Sequence, residues 1–193
     1  MENEDLVIKQ NELQKEGNEV LEKIGLLSTL SNYGQVVVSG SLVTGLMSWR
    51  DIDIEVLTEN PSIDSVFNVA KLLLENNKVK SIQVQDNTRH RMHDHQPDGM
   101  YLGFRYQGQD VWKFDIWFLT GNNHTGKDDI EWINSTMTPE KQKSILNIKS
   151  KISDNPKYRK SIFSIDIYKA VLNENVKSYD EFGEYLKRTN RNI

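Results

Sequence analysis

Three aspartates stand in runs that otherwise read as core β-strand: Asp51 and Asp53 in DIDIEVL, and Asp115 in VWKFDIWFLT. Aspartate is among the residues most depleted from strands. Residues two apart on a strand face the same way, so the Asp51 and Asp53 carboxylates lie side by side, roughly 6–7 Å apart by the strand rise. Repulsion and desolvation make that pair costly unless something offsets it. Asp115 shares its strand face with Lys113 and Trp117, while Trp112, Phe114, Ile116 and Phe118 form the other face. If the two strands are neighbours, the three carboxylates converge. Such a cluster of hard oxygens suits Mg²⁺, or Mn²⁺ in its place, together with substrate phosphates. Two such ions about 3.5–4 Å apart stabilise the attacking and leaving oxygens of a phosphoryl or nucleotidyl transfer. Upstream, Gly40-Ser41 lies between an apolar strand and a short helix. A helix N-terminus offers N–H groups to an anion, glycine lets a phosphate approach the backbone, and the serine hydroxyl adds one bond. A plainer reading stays open: Asp51 as an exposed strand start, and Asp115 neutralised by Lys113 or an arginine.

The elements that must position these residues follow from periodicity. Leu6, Leu13, Val20, Leu21, Ile24 and Leu27 recur at helical spacing, which predicts one or two amphipathic helices over 4–30. Strands are predicted over 35–39, 51–57 and 79–84, with a short helix at 42–47 and a longer one at 62–76. YLGFRYQ and VWKFDIWFLT flank Gly108-Gln109-Asp110 and read as a hairpin. Beyond Gly121 the pattern turns helical, over 128–135, 139–152, 158–173 and 179–188. The fold class is therefore α/β (α+β): a mixed-sheet core with flanking helices over 1–120 and a helical C-terminal region over 121–193.

The order of apolar strand, Gly40-Ser41, a nine-residue spacer and Asp51-Ile52-Asp53-Ile54 resembles the signature of the DNA polymerase β-like nucleotidyltransferase superfamily. In that superfamily the Gly-Ser contacts the nucleoside triphosphate, the paired acids bind two Mg²⁺, and a third strand acid completes the metal site and helps activate the attacking hydroxyl. The resemblance implies nucleotide-binding roles for Gly40 and Ser41, and catalytic and metal-binding roles for Asp51, Asp53 and Asp115. Gly45 falls where many members carry a glycine, whereas Trp49-Arg50 replaces a small polar residue. The implied reaction moves an NMP from an NTP such as ATP to a hydroxyl. A non-catalytic partner subunit of the same fold, of the toxin–antitoxin kind, would be expected to lack one of the three acids; none is missing.

The acceptor is bounded by charge. Net charge is −4 with no long basic run, which disfavours a nucleic acid; the expected acceptor is a small molecule, neutral or cationic rather than anionic, with a protein side chain or an RNA end as the alternatives. Glu55, Asp128, Asp129 and Glu131 are the acids that could attract an amine. There are no cysteines, which excludes disulfides and thiolate chemistry. The N-terminus has neither a basic start nor an apolar core, and no apolar run approaches the ~18 residues of a membrane span, so a cytoplasmic protein is expected. GNNHTGKD (121–128) begins like a P-loop, but Asp128 stands where Ser or Thr would hold Mg²⁺, so Asp128 and Asp129 read as caps of a helix. His90, His93 and His95 beside Asp94 have a loop spacing that seldom supports a closed zinc site without further ligands, and with Arg89 and Arg91 could face a triphosphate or an acidic substrate, or form an ordinary solvated loop. Lys169 could reach a phosphate from its helix. Tyr158, Phe163, Ile167, Tyr168, Val171 and Leu172 read as helix packing rather than a base-stacking platform.

Overall fold

Alternating strands, helical stripes and their caps give the order seen in a computed structural model, which describes residues 3–89, 96–120 and 126–190. The first part runs α1 (Asn3–Ile24), α2 (Leu26–Leu30), β1 (Gln35–Ser39), α3 (Ser41–Thr44), β2 (Asp51–Thr58), α4 (Ile63–Leu74), β3 (Val79–Asp86), β4 (Gly99–Gln107) and β5 (Val111–Thr120). The second part is α5 (Gly126–Thr136), α6 (Pro139–Ile152), α7 (Ser164–Glu174) and α8 (Tyr179–Arg188). The five strands form one mixed sheet in the order β1-β2-β5-β4-β3. β2 and β5 run parallel, and the remaining neighbours pair antiparallel.

Alternation sends Ile52, Ile54, Val56, Trp112, Phe114, Ile116 and Phe118 to one face, where they are buried with Leu13, Val20 and Leu21 of α1 and Val66 and Val69 of α4. A second apolar cluster joins Ile145, Ile148 and Ile152 of α6 to Ile167 and Val171 of α7 and Phe182 and Leu186 of α8. Sequence-coded caps set several boundaries. The side chains of Ser62, Thr138 and Ser178 accept from the backbone N–H of Ser65, Lys141 and Glu181, and Pro139 follows its cap at the first helical position. Arg50 pins β2 to α1: its guanidinium binds Glu16 at 2.9–3.1 Å and Asp110 at 2.9 Å, and Trp112 Nε1 donates to Glu16 at 2.8 Å.

Two elements are shorter than their sequence pattern. α3 is a single turn, because Gly45 takes a left-handed conformation (φ 68°) and closes it one residue past Thr44. The stretch predicted as helix from 158 begins only at Ser164. The Phe163 N–H donates to Asp166 Oδ2 at 2.9 Å, which caps α7 there, and Arg159 ahead of it is left-handed (φ 65°). Tyr158 to Phe163 form a tight turn instead, with the Lys157 carbonyl accepting from the N–H groups of Ser161 and Ile162.

Candidate active site

The polar face of the sheet is built by register. Asp51 lies opposite Lys113 and Asp53 opposite Asp115, so four residues of β2 and β5 form a square with carboxylates at three corners and an ammonium at the fourth. Carboxylate oxygens of Asp51, Asp53 and Asp115 all lie within 4.8 Å of one another. The expected convergence of the three acids is present. Lys113 Nζ donates to Asp115 Oδ2 and stands 3.7 Å from Asp51 Oδ1. That Asp51 oxygen is buried and has no hydrogen-bond partner. Buried carboxylate oxygens are ordinarily satisfied, and an orphaned one facing two further carboxylates fits the coordination of a hard divalent cation.

Two glycines make room for this square. Gly40 has φ 69° and ψ −153°, and a Cβ there would stand 2.1 Å from Asp53 Oδ2. Glycine is thus required twice, by conformation and by the close approach of the Asp53 carboxylate. On β4, Gly103 lies opposite Asp115, and a Cβ there would meet the Tyr101 hydroxyl at 2.2 Å. The missing side chain lets Tyr101 lean across and donate its O–H to Asp115 Oδ1.

Electrostatics follow from crowding. Burial first, and then the neighbouring charges of Asp51 and Asp115, push the Asp53 carboxyl up to about 8. Burial raises Asp51 as well, against the pull of Lys113. Burial works against the Lys113 ammonium, but Asp51 and Asp115 outweigh it and hold it above its ordinary value. Burial, helped by Asp115, raises the Tyr101 phenol, which keeps it a donor.

A cleft of about 520 Å³ opens over the square, within the usual range for ligand sites. Gly40 and Ser41 line it beside the carboxylates. One wall is cationic and aromatic. Lys149 of α6 is buried, donates to the Leu46 carbonyl at 2.6 Å and the Tyr168 hydroxyl at 3.3 Å, and lies 4.7 Å from the Trp49 ring centre. Burial lowers its amine to about 7 against the pull of Asp53 and Asp51. The Arg159 guanidinium sits 4.4 Å from the same ring, and Tyr158 meets it edge-on at 5.6 Å. The opposite end is lined by Gln83, Gln85, Gln96, Pro97, Tyr101 and Trp117.

Sequence reasoning missed Tyr101, Lys149 and Arg159. Lys149 was detectable, since with Ile145 and Ile152 it falls on one apolar helix stripe where a lysine is out of place. The lysine singled out instead, Lys169, is exposed and outside the cleft lining. Tyr158 and Tyr168 pack as expected, yet both also face the cleft. Glu55 and Asp129 line an adjoining recess of about 280 Å³ that also reaches Asp53, whereas Asp128 and Glu131 are exposed outside it. Glu55 accepts from the Gly126 N–H at 2.9 Å. Asp128 and Asp129 stand inside the first turn of α5, two and three residues past its start, where a carboxylate suits the positive end of the helix dipole. His90, Arg91, His93, Asp94 and His95, and Gly121 to Thr125 of the P-loop-like stretch, lie outside the described residues. Arg89 is exposed and stands 3.6 Å from Asp86. Among the described residues no helix is long and apolar enough to cross a membrane.

No protein-family profile and no curated protein sequence matches the chain. Solved structures do. A cytoplasmic RNA terminal U-transferase superposes with a TM-score of 0.59 at 17% identity, over 88% of this chain and 50% of that one. The Cid1 poly(U) polymerase with Mg and 3′-dATP bound gives 0.63 at 17%, over 88% and 54%. CdnC of E. coli MS115-1 with ATP gives 0.57 at 15%, over 94% and 67%. The chain thus spans about half the length of the first two. At these identities the likeness is one of fold, an α+β fold with a mixed five-stranded sheet.

Proposed function

We propose that this chain, which has the fold of the DNA polymerase β-like nucleotidyltransferases, transfers an NMP from an NTP, ATP among them, to a hydroxyl of a small-molecule acceptor. One observation carries the reading: Asp51, Asp53 and Asp115 converge, with a buried Asp51 oxygen left unbonded. These three would hold Mg²⁺ or Mn²⁺, which when bound lowers the pKa of the attacking hydroxyl and neutralises charge on the phosphates.

The rest falls to the protein's own side chains. Ser41 and the Gly40 backbone bind a phosphate oxygen, and Lys149 and Arg159 supply counter-charge from the opposite wall. α3 is too short for its dipole to matter much, so the serine hydroxyl is the main contact there. Asp115 accepts the proton of the attacking hydroxyl, which requires Lys113 first to release Oδ2; Tyr101 keeps Oδ1 in place. The acceptor oxygen bonds to the α-phosphorus as the bond to pyrophosphate breaks.

A second reading, transfer to an RNA end, is favoured by the fold neighbours described as RNA terminal U-transferase and poly(U) polymerase. The test is a screen of labelled NTPs with Mg²⁺ or Mn²⁺ against small-molecule, protein and RNA acceptors. Transfer that disappears in Asp51→Asn and Asp53→Asn supports the proposal. Intact transfer in both variants removes the triad from the chemistry, and transfer to RNA alone selects the second reading.

A further inference from the structure

The two ends of the cleft differ in chemistry. The Lys149–Arg159 end carries cations and suits phosphates. Among the described residues, the lining of the far end, beyond Asp115, holds three glutamine amides, a proline and two aromatic rings, with no further carboxylate. Register builds this floor: Gly103 lies opposite Asp115 and Gln83 opposite Gly103, while Tyr101 lies opposite Trp117 and Gln85 opposite Tyr101. The Tyr101 and Trp117 rings lie 5.0 Å apart, tilted by 47°.

Two of the amides, Gln85 and Gln96, are tied to each other and to Asn87. Asn87 is buried and donates to Gln96 Oε1 at 3.1 Å. Gln85 Nε2 donates to the Asn87 side-chain oxygen and to Gln96 Oε1, the latter at 3.1 Å. These bonds occupy the Gln85 nitrogen and the Gln96 oxygen. Among the described residues, Gln85 Oε1 and Gln96 Nε2 have no partner, which leaves one acceptor and one donor on two hydrogen-bonded residues of the cleft lining. A fixed donor–acceptor pair next to an aromatic floor matches a flat heterocycle that offers a π-face and a hydrogen-bonding edge. Among the described residues this end offers neither the carboxylates that a polyamine would call for nor the cations that a strand of phosphates would call for.

We propose that this amide-lined end is the acceptor subsite, and that it takes a nucleoside: the base lies against Trp117, its edge pairs with Gln85 and Gln96, and a sugar hydroxyl points toward Asp115. The proposal rests on the transfer reading for what happens next. There the hydroxyl oxygen bonds to the α-phosphorus of the NTP, its proton passes to Asp115, and pyrophosphate leaves.

The binding step can be tested without an NTP. Adenosine, guanosine, cytidine and uridine are titrated calorimetrically into the intact protein, in parallel with a neutral disaccharide, kanamycin and a short RNA. The expected result is binding of at least one nucleoside that weakens tenfold or more in Trp117→Ala and in Gln85→Leu. In the same variants, affinity for a non-hydrolysable NTP analogue with Mg²⁺ stays within twofold. Trp117→Phe, which keeps a ring, should retain most nucleoside affinity and guards against a folding defect in the alanine variant. Failure of every nucleoside to bind, equal binding by the variants, or preference for kanamycin, the disaccharide or RNA overturns the proposal. The two readings separate cleanly. Nucleoside binding through Trp117 with no NTP-analogue binding would sink the transfer reading and keep this subsite, and the opposite pattern would sink the subsite alone.

Discussion

Removing the Asp53 charge should stabilise the metal-free protein. The carboxyl stands at about 8 in the folded chain and at roughly 3.9 when unfolded. The folded state therefore binds the proton more tightly, and native stability falls as pH rises from about 4 toward about 8, then levels off. At 1.36 kcal/mol per unit, the span from pH 4 to 7 corresponds to about 4 kcal/mol. Asp53 still touches the cleft, and water there screens the repulsion, so about 2 kcal/mol is the working figure. Asp53→Asn carries no such penalty. At pH 7 without metal it should melt about 4–8 °C above wild type, taking 2–4 °C per kcal/mol for a chain of this size, and the two should converge near pH 4. Added Mn²⁺ should raise the wild-type melting temperature and leave the variant nearly unmoved. Scanning calorimetry at pH 4.5, 7 and 8.5, with and without Mn²⁺, reads all of this. A variant that melts below wild type at pH 7 in the absence of metal would make Asp53 a structural partner and refute the reasoning.

Gly40→Ala forces a side chain into backbone space that is almost glycine-only and against Asp53 Oδ2; it should cost about 2–4 kcal/mol and abolish the Mn²⁺-induced shift, and a normal melt with a normal shift would contradict the close-packing account. Ser41→Ala loses one neutral hydrogen bond, about 1 kcal/mol, so the NTP dissociation constant should rise roughly fivefold with no change in melting temperature. Lys113→Met frees Asp115 Oδ2 and removes a cation from the metal site; Mn²⁺ measured by electron paramagnetic resonance at pH 8.5 should bind severalfold more tightly, and weaker binding would show that Lys113 instead orders the ligands. Lys149 stands at about 7, so wild-type affinity for NTP should fall as pH rises above 7 and the amine loses its proton; Lys149→Met should bind weakly at every pH, and an unchanged pH profile in that variant would remove Lys149 from phosphate recognition.

The strands, most helices and the five candidate residues Gly40, Ser41, Asp51, Asp53 and Asp115 are legible in the amino-acid sequence itself. Strand alternation and helical stripes are short-period signals, written within a few residues by the direction in which side chains leave the backbone. Asp51 and Asp53 were conspicuous for the same reason, because a local pattern of apolar strand makes a misplaced acid visible. The stretch from Tyr158 to Phe163 shows where that logic fails: its apolar spacing fits a helix, yet the Asp166 cap starts the helix at Ser164 and frees Arg159 to reach the Trp49 ring. The parallel register that sets Asp53 against Asp115, the lean of Tyr101 over Gly103, the burial of the Lys149 amine beside the cleft and the paired amides of Gln85 and Gln96 belong to the folded molecule. Each joins side chains from different elements, and their distances are set by how the sheet orders its strands and how α6 and α7 pack over it. No local propensity encodes such a distance, because it is a property of the packing and not of any one segment.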